Sequence, residues 1–118
     1  MKMYCSWQEF SFAVNELEEK IKKSKYKFDG IYGIPRGGVI LAVCLASRLN
    51  LPLLMFPTKN TLVVDDISDT GETLTKFKNK KIVTIYSTKW TITKPYWYVF
   101  EKTSKKDWIV FPWELADE

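Results

Sequence analysis

Residues 63–74 read VVDDISDTGETL, and this stretch decides the fold class predicted for the chain. Two apolar β-branched residues run directly into adjacent carboxylates, Asp65 and Asp66, and a polar turn follows them. Because successive residues on a strand face opposite ways, one carboxylate can face a ligand while the other turns toward backbone or a metal ion. The plainer alternative is a helix N-cap with two incidental acids. We favour a buried strand that ends at a ligand site.

Strand and helix patterns alternate on both sides of this stretch. The predicted elements are, in chain order, strands at 30–34 and 62–64 with a helix at 39–49 between them, a helix that opens at the turn 69–73 and runs through Leu74 and Phe77, and strands at 82–86 and 96–100. Alternation of this kind is typical of an α/β domain. We therefore predict an open, mainly parallel sheet flanked by helices.

The 118 residues fit one such domain. A chain of this size buries about two thirds of its surface on folding, which is enough for a core. Ser6 and Glu9 have the spacing of a capping box and predict where the first helix begins. The prediction divides the domain, 1–118, into an N-terminal helix at about 7–24, an α/β core at about 29–100 and a C-terminal tail at about 101–118.

One connection is short for a parallel sheet. Leu53–Phe56 has a strand pattern, but only five residues separate it from the strand that begins at Leu62. Parallel neighbours need a crossover of about a dozen residues, and five residues extend to about 17 Å. Leu53–Phe56 is therefore either a very short edge strand or no part of the parallel set.

The composition excludes several classes of protein. The chain has no histidine, which excludes His-based catalysis and most zinc sites, and Cys5 and Cys44 form no disulfide framework. The longest apolar run, Val39–Ala46, is too short to cross a bilayer, and the first residues lack the apolar segment of a signal peptide. We expect a reduced, cytoplasmic protein without a membrane partner. The net charge of +4 favours anionic ligands.

Two loops are predicted at the carboxyl ends of strands, where open α/β sheets bind their ligands. The turn after Asp66 offers backbone N–H groups, hydroxyls and a glycine, which together can cradle a phosphate. The second loop, Gly33–Gly38, contains three glycines that let its backbone approach a ligand closely, and Arg36 can hold a further anion. Alone, this loop also fits a plain strand-to-helix turn.

These residues resemble the motifs of type I phosphoribosyltransferases, most closely those of the xanthine-guanine and hypoxanthine enzymes. Residues 63–74 resemble the family's phosphoribosyl pyrophosphate signature, and Gly33–Gly38 looks like its pyrophosphate loop. Residues 84–90 resemble the strand that carries the purine-reading lysine, and residues 105–114 resemble the family's C-terminal end. The resemblance covers most of the chain from Gly30 and implies a Rossmann-like fold.

The resemblance implies transfer of ribose 5-phosphate from phosphoribosyl pyrophosphate to a 6-oxopurine, with Mg²⁺ and in purine salvage. A homodimer is expected by the same analogy. The resemblance implies that Asp65 and Asp66 bind the ribose hydroxyls, and that Asp66, and also Asp65, holds Mg²⁺, partly through water. It implies that pyrophosphate is bound by Pro35, Arg36 and Gly37. The 5′-phosphate would be bound by the turn residues Asp69, Thr70, Gly71, Glu72 and Thr73. Asp69 is also the implied acid/base beside purine N7. The family's loop often holds a non-proline cis peptide, which would fall at Pro35–Arg36.

The implied base site lies in the last third of the chain. Trp108 would stack on the purine, the backbone at Ile109 would meet its exocyclic group, and Lys89 would donate to O6. A simple alignment puts Thr88, one position earlier, where the lysine belongs. Trp108 alternatively packs in the core beside Phe111 and Trp113. The remaining lysine runs, 76–81 and 102–106, are expected to be solvated faces.

The chain departs from the family pattern in one respect, because the long mobile loop that precedes the Asp-Asp strand is absent. Such a lid excludes water from the reacting centre. The chain is then a minimal transferase, alone or with a partner subunit over its site, a slow or vestigial enzyme, or a non-catalytic regulator that binds phosphoribosyl pyrophosphate or a nucleotide. A nucleic-acid-binding module is the other class, and the scattered lysines and acidic motifs argue against it.

Overall fold

The computed structural model describes residues 1–114, and the end of the predicted tail, 115–118, lies outside the described residues. Helix α1 (Trp7–Ser24) has the bounds that the sequence predicts. The capping box is present: Ser6 Oγ accepts from the Glu9 N–H at 3.0 Å, and Glu9 Oε1 accepts from the Ser6 N–H at 2.9 Å. These two bonds satisfy donors that the helix itself leaves unpaired, so a local signal fixes where α1 begins.

Three parallel strands form the centre of the molecule. They are β2 (Gly30–Gly33), β3 (Thr61–Val64) and β5 (Lys81–Val83), hydrogen-bonded in the order β2-β3-β5. Single parallel bridges extend the set on both sides, from Leu53 to Ile31 and from Trp97 to Val83. The direction in which the chain adds neighbours therefore reverses between β2 and β3. The predicted open parallel α/β fold is confirmed.

Leu53 settles the open question about the short connection. It contributes one bridge at the sheet edge, where Pro52 O accepts from the Ile31 N–H at 2.9 Å and Ile31 O accepts from the Leu54 N–H at 2.7 Å. Met55 and Phe56 are exposed at 82% and 77%. The edge strand therefore consists of a single bridge residue, Leu53, and the chain then returns directly to β3 at Thr61.

Two apolar layers cover the sheet. Leu62 and Val64 belong to the larger buried cluster, which also contains the inner faces of α1 and of helix α2 (Val39–Leu49), and Val63 belongs to a smaller cluster on the other side. This alternation follows from the two-residue period of a strand. Since all three side chains are fully buried, the apolar run in β3 has the pattern of a central parallel strand. Within residues 1–114, no helix is both long and apolar enough to cross a membrane.

The α-helix predicted to open at residues 69–73 is wrong. The chain forms only a 3-10 turn there, η1 (Thr75–Phe77). Thr75 Oγ1 donates to the Gly71 carbonyl at 3.0 Å, so a side-chain hydroxyl occupies a carbonyl that an α-helix would pair with a backbone N–H. Lys81 already begins β5, which leaves little chain for a helix. Leu74 and Phe77 are nevertheless buried, and they supply the small cluster beneath Val63.

The strands predicted at 82–86 and 96–100 are also wrong as single elements. β5 ends at Val83, and a second parallel sheet consists of β4 (Ile67–Ser68), β6 (Tyr86–Ser87) and β7 (Phe100–Glu101), in the order β4-β6-β7. The break follows from Asp66, whose carbonyl accepts from both the Ile85 N–H at 3.0 Å and the Tyr86 N–H at 3.1 Å. Because two successive N–H groups share one acceptor, the hydrogen-bond register changes here. The chain leaves the first sheet after Val83 and joins the second sheet at Tyr86.

A parallel pair that the sequence analysis did not predict joins the two ends of the described chain. β1 (Lys2–Tyr4) pairs with β8 (Trp108–Val110), and Lys2 lies opposite Trp108. Below the pair, Trp113 packs against Phe111 with centroids 5.2 Å apart and against Phe10 of α1 at 5.4 Å. The C-terminal tail is thereby fixed to the N-terminal helix.

Candidate functional site

The candidate site lies where the sheet reverses direction. The loop after β2 and the Asp-Asp segment after β3 leave the carboxyl ends of adjacent strands, and such a reversal point forms a crevice in open α/β sheets. The Ile34 N–H donates to the Val64 carbonyl at 2.9 Å, so the two segments stay hydrogen-bonded beyond the last pair of the ladder. Two motifs thirty residues apart in sequence are adjacent in space.

Glycines bring the first loop directly onto the carboxylates. A Cβ at Gly37 would overlap the Asp66 carboxylate, and one at Gly38 would overlap the Val64 carbonyl and lie 2.8 Å from the Asp65 Cα. The close approach therefore requires glycine at both positions. The peptide bond between Pro35 and Arg36 is cis, as the resemblance implies. Both side chains are exposed at the edge of the crevice, so the Arg36 guanidinium is accessible to an anion there.

The two carboxylates at the end of β3 are capped by backbone. The Asp66 N–H donates to Asp65 Oδ1 at 2.9 Å, and the Ile67 N–H donates to Asp66 Oδ1 at 2.8 Å. Burial raises the pKa of Asp65 to about 8, and the neighbouring Asp66 charge adds to the rise. Burial also raises the pKa of Asp66, and Glu114 contributes to it. A cation bound at either carboxylate would favour its ionised form.

The donor set fits Mg²⁺ better than a metal held by protein alone. Within residues 1–114, no group of three or more Asp, Glu, Cys or His side chains could hold a metal ion. Mg²⁺ is usually bound by one or two carboxylates and completes its shell with water and substrate phosphate. Asp66 and Asp65 would supply that share here, as the resemblance implies.

The turn that follows is braced from the opposite side. Gly71 has φ +84°, and a Cβ there would overlap Thr91 Oγ1 and lie 2.6 Å from the Thr93 nitrogen. The Gly71 carbonyl accepts from Thr93 Oγ1 at 2.7 Å, and the Thr70 carbonyl accepts from the Ile92 N–H at 2.9 Å. Thr70, Glu72 and Thr73 remain exposed. The predicted phosphate cradle is therefore a turn held by the segment 91–93, without the α-helix N-terminus that the sequence predicted.

Asp69 lies in a polar cluster within the described chain. Its Oδ2 accepts from Lys102 Nζ at 2.6 Å and its Oδ1 accepts from Trp90 Nε1 at 2.9 Å. Thr88 Oγ1 donates to the Asp69 carbonyl at 2.7 Å. Both carboxylate oxygens are thus directed, while the side chain keeps 37% of its exposure. A carboxylate that is oriented and yet accessible suits proton exchange with a ligand.

Two predicted side chains lie differently from what the sequence suggested. The prediction that Lys102 lies on a solvated face is wrong, because its side chain is only 6% exposed. Lys89, predicted to read the purine, is 83% exposed, and its Nζ lies 3.9 Å from Glu101. The neighbours of Lys89, Thr88 and Trp90, make the contacts with Asp69 instead. The role of Lys89 stays a prediction that this arrangement does not support.

Trp108 lies on the surface and not in the core. It is 66% exposed at the start of β8, whereas Ile109 beside it is 9% exposed. The alternative that Trp108 packs in the core beside Phe111 and Trp113 is therefore wrong. Trp113 takes that structural role, and Trp108 keeps an open indole face.

The sequence analysis missed two members of the Asp69 cluster, Trp90 and Lys102. No local pattern identifies Lys102, since it stands in a segment with several other lysines. The signal that could have found it is the strand period: Glu101 is exposed and Lys102, the next residue, is buried. That reasoning requires β7 to be placed correctly, and β7 is only two residues long.

Fold and site together define an open parallel α/β protein with a glycine-lined crevice at the reversal point of its sheet and the ion-paired Asp69 close by in the chain. The sequence matches no protein-family model and no curated protein. Solved structures do match. A purine phosphoribosyltransferase from Pyrococcus horikoshii is 33% identical with a TM-score of 0.83, over 97% of this chain and 95% of that one.

Two further structures share the fold at lower identity. Helicobacter pylori xanthine-guanine-hypoxanthine phosphoribosyltransferase has a TM-score of 0.82 at 19% identity, over 99% of this chain and 95% of that one. A hypothetical protein from Neisseria gonorrhoeae with bound ppGpp has a TM-score of 0.76 at 20% identity, over 99% and 91%. The Pyrococcus match carries the assignment: the chain belongs to the purine phosphoribosyltransferase family.

Proposed function

We propose that this protein transfers ribose 5-phosphate from phosphoribosyl pyrophosphate to a 6-oxopurine (guanine, xanthine or hypoxanthine) and releases pyrophosphate. The observation that carries the proposal is the contact of Gly37 with the Asp66 carboxylate at the reversal point of the sheet. This contact brings a loop suited to pyrophosphate against carboxylates suited to ribose and Mg²⁺. Membership of the family supports the same reaction.

In this reaction the protein mainly positions the two substrates and stabilises the charge that develops on them. Purine N9 attacks the anomeric carbon as the bond to pyrophosphate breaks, and the proton on N7 passes to Asp69. Asp65 and Asp66 orient the ribose hydroxyls, and Arg36 balances charge on the leaving group. The turn at 70–73 holds the 5′-phosphate through backbone N–H groups and hydroxyls. Asp66, with Asp65, would hold Mg²⁺, which would supply positive charge to the leaving pyrophosphate.

Trp108 completes the proposed base site. Its exposed indole offers a face on which a purine ring can stack, and stacking of a base on an aromatic side chain contributes about 1–3 kcal/mol. The segment between Asn50 and Thr61 contributes a single bridge residue and no lid. This chain matches 95% of the Pyrococcus purine phosphoribosyltransferase, so the two chains are of nearly the same length. This similarity in length supports a transferase function for a chain as short as this one.

The alternative is a regulator that binds phosphoribosyl pyrophosphate or a nucleotide without turnover, and the absent lid favours it. Incubation with Mg²⁺, phosphoribosyl pyrophosphate and each of guanine, xanthine, hypoxanthine and adenine distinguishes the two functions, with chromatography of the nucleotide formed. We expect nucleoside monophosphate from a 6-oxopurine, and its loss in Asp69→Asn. Asp29→Asn, before β2 at the opposite end of the sheet, is the matched control. Binding in calorimetry without product from any base would favour the regulator.

A further inference from the structure

We propose that Lys102, held against Asp69, is the residue that reads the 6-substituent of the bound base, and that it does so in place of Lys89. The inference rests on the proposed function, because it concerns the base that the same site accepts. Lys102 has a buried ammonium group, and none of the steps proposed for the reaction uses it.

Lys102 is built into the site. Its backbone N–H donates to the Ser87 carbonyl at 2.9 Å, which extends the pairing of β6 with β7 and fixes where the side chain starts. Its Nζ lies 2.6 Å from Asp69 Oδ2 and 5.9 Å from the centroid of the Trp90 ring. A buried ammonium is costly unless it is paired, so the carboxylate and the ring account for its position.

The geometry of a purine explains what the pair can recognise. N7 and the 6-substituent project from the same edge of the ring system, side by side. A carboxylate that faces N7 therefore brings its ion-pair partner next to the 6-substituent. Lysine has three donor hydrogens and no acceptor, so Lys102 can keep Asp69 and donate to a second oxygen.

This donor-only group discriminates between bases. The 6-oxo group of guanine, xanthine or hypoxanthine accepts a hydrogen bond from the ammonium. The 6-amino group of adenine offers hydrogens to it, which would leave buried donors facing each other without an acceptor. Sites built to pair with a polar substituent reject analogues that leave their own groups unpaired. Lys102 should therefore exclude adenine.

Lys89 has none of these features. Its ammonium reaches outward to Glu101, 3.9 Å away, and its side chain is solvated. The side chains on either side of it, Thr88 and Trp90, turn toward Asp69. Lys89 is therefore directed toward Glu101, whereas its two neighbours contact Asp69, the residue that would face the base.

The test compares Lys102→Met, Lys102→Gln and Lys89→Met, with Lys106→Met as an exposed control from the same lysine run. The kcat/KM for guanine should fall about 10- to 100-fold in Lys102→Met, since one hydrogen bond to a charged group is lost. In Lys102→Gln the guanine-to-adenine ratio should shrink, because an amide carbonyl can accept from a 6-amino group. Lys106→Met should leave the ratio unchanged. A collapse of the ratio in Lys89→Met, with both Lys102 variants unaffected, would overturn the inference.

Two further measurements keep the inference separate from folding and from turnover. Calorimetry with guanosine and adenosine monophosphates applies the same comparison to binding alone, so it decides the role of Lys102 even where the wild type makes no product. If neither Lys102 variant folds, the ¹⁵N resonance of the Lys102 ammonium in the wild type replaces them. It should shift with guanosine monophosphate and hardly at all with adenosine monophosphate. Equal shifts with both nucleotides would exclude the proposed reading.

Discussion

The two sides of the candidate site are built in different ways. The phosphate side, formed by residues 33–38 and 65–66, depends on backbone contacts: glycines lie against carboxylates, and the loop bonds to the strand beside it. The proposed base side depends on side chains from separate segments: Asp69, Trp90 and Lys102, which contact one another, and the exposed Trp108, which we propose joins them. The first is specified by short contiguous motifs, and the second only by the tertiary fold.

The strongest test of the phosphate side is Gly37→Ala. The new methyl group would overlap the Asp66 carboxylate, so either the loop or the carboxylate must move. Overpacking of this kind costs about 1–3 kcal/mol of stability, and we expect phosphoribosyl pyrophosphate affinity to fall about 100-fold or more because positioning is lost. Calorimetry with Mg²⁺ and thermal unfolding measure the two effects.

The double variant Gly37→Ala/Asp66→Ala separates these effects. Removal of the carboxylate makes room for the methyl group, so stability should return toward that of Asp66→Ala while affinity stays low. If the double variant is no more stable than expected from adding the two single changes, the close contact is not what requires glycine.

Two tryptophans five residues apart test the base side. Trp113 packs on Phe111 and Phe10, so Trp113→Ala should lower the free energy of unfolding by about 3 kcal/mol. Trp108 is exposed, so Trp108→Ala should change stability by no more than about 0.5 kcal/mol. Its KM for the base should rise about tenfold or more as stacking is lost. Denaturant unfolding and steady-state kinetics of both variants give the comparison, and a large stability loss in Trp108→Ala would assign it to the core after all.

The same contrast explains what could be predicted from the sequence. Helices α1 and α2, strand β3 and the adjacency of the two loops follow from capping, periodicity and the position of Asp65–Asp66 after an apolar run. Each of these signals lies within about ten residues. The close approach of the two loops was therefore predicted from local signals, and the family resemblance implied the place of the cis peptide bond, which is present.

The base side could not be predicted in the same way, because its elements are too short to carry a period. β6 and β7 have two residues each, and the offset between β5 and β6 arises from the Asp66 carbonyl, which belongs to another segment. The burial of Lys102 follows from that offset. A lysine in a lysine-rich stretch indicates a solvated face until the fold places an acid beside it.

Alkaline pH should weaken the support of the base side. The Cys5 N–H donates to the Val110 carbonyl at 2.9 Å, which ties β8 to the start of α1. Burial, with the Glu9 charge, raises the pKa of the Cys5 thiol to about 11. A raised pKa in the folded state gives stability that is complete below the unfolded value, near 9, and is lost as the pH rises toward 11. A shift of this size corresponds to about 2–3 kcal/mol.

Unfolding measured between pH 8 and pH 11 tests this expectation against Cys5→Ala. The wild type should lose stability more steeply than the variant over that window, and their difference should be constant below pH 8. Parallel curves would mean that the thiol ionises as easily in the folded state as in the unfolded one.

The smallest expected effect concerns a hydroxyl on the base side. Ser87 Oγ is buried and has no hydrogen-bond partner among the described residues, while Thr88 Oγ1 beside it donates to the Asp69 carbonyl. Ser87→Ala removes an unpaired polar atom, so stability should stay constant or rise by about 1 kcal/mol. Thr88→Val breaks a bond and leaves a carbonyl unpaired, so it should cost about 1–2 kcal/mol. Equal losses in chemical denaturation would mean that the Ser87 hydroxyl is bonded in solution, and the base side would then be as fully satisfied as the phosphate side.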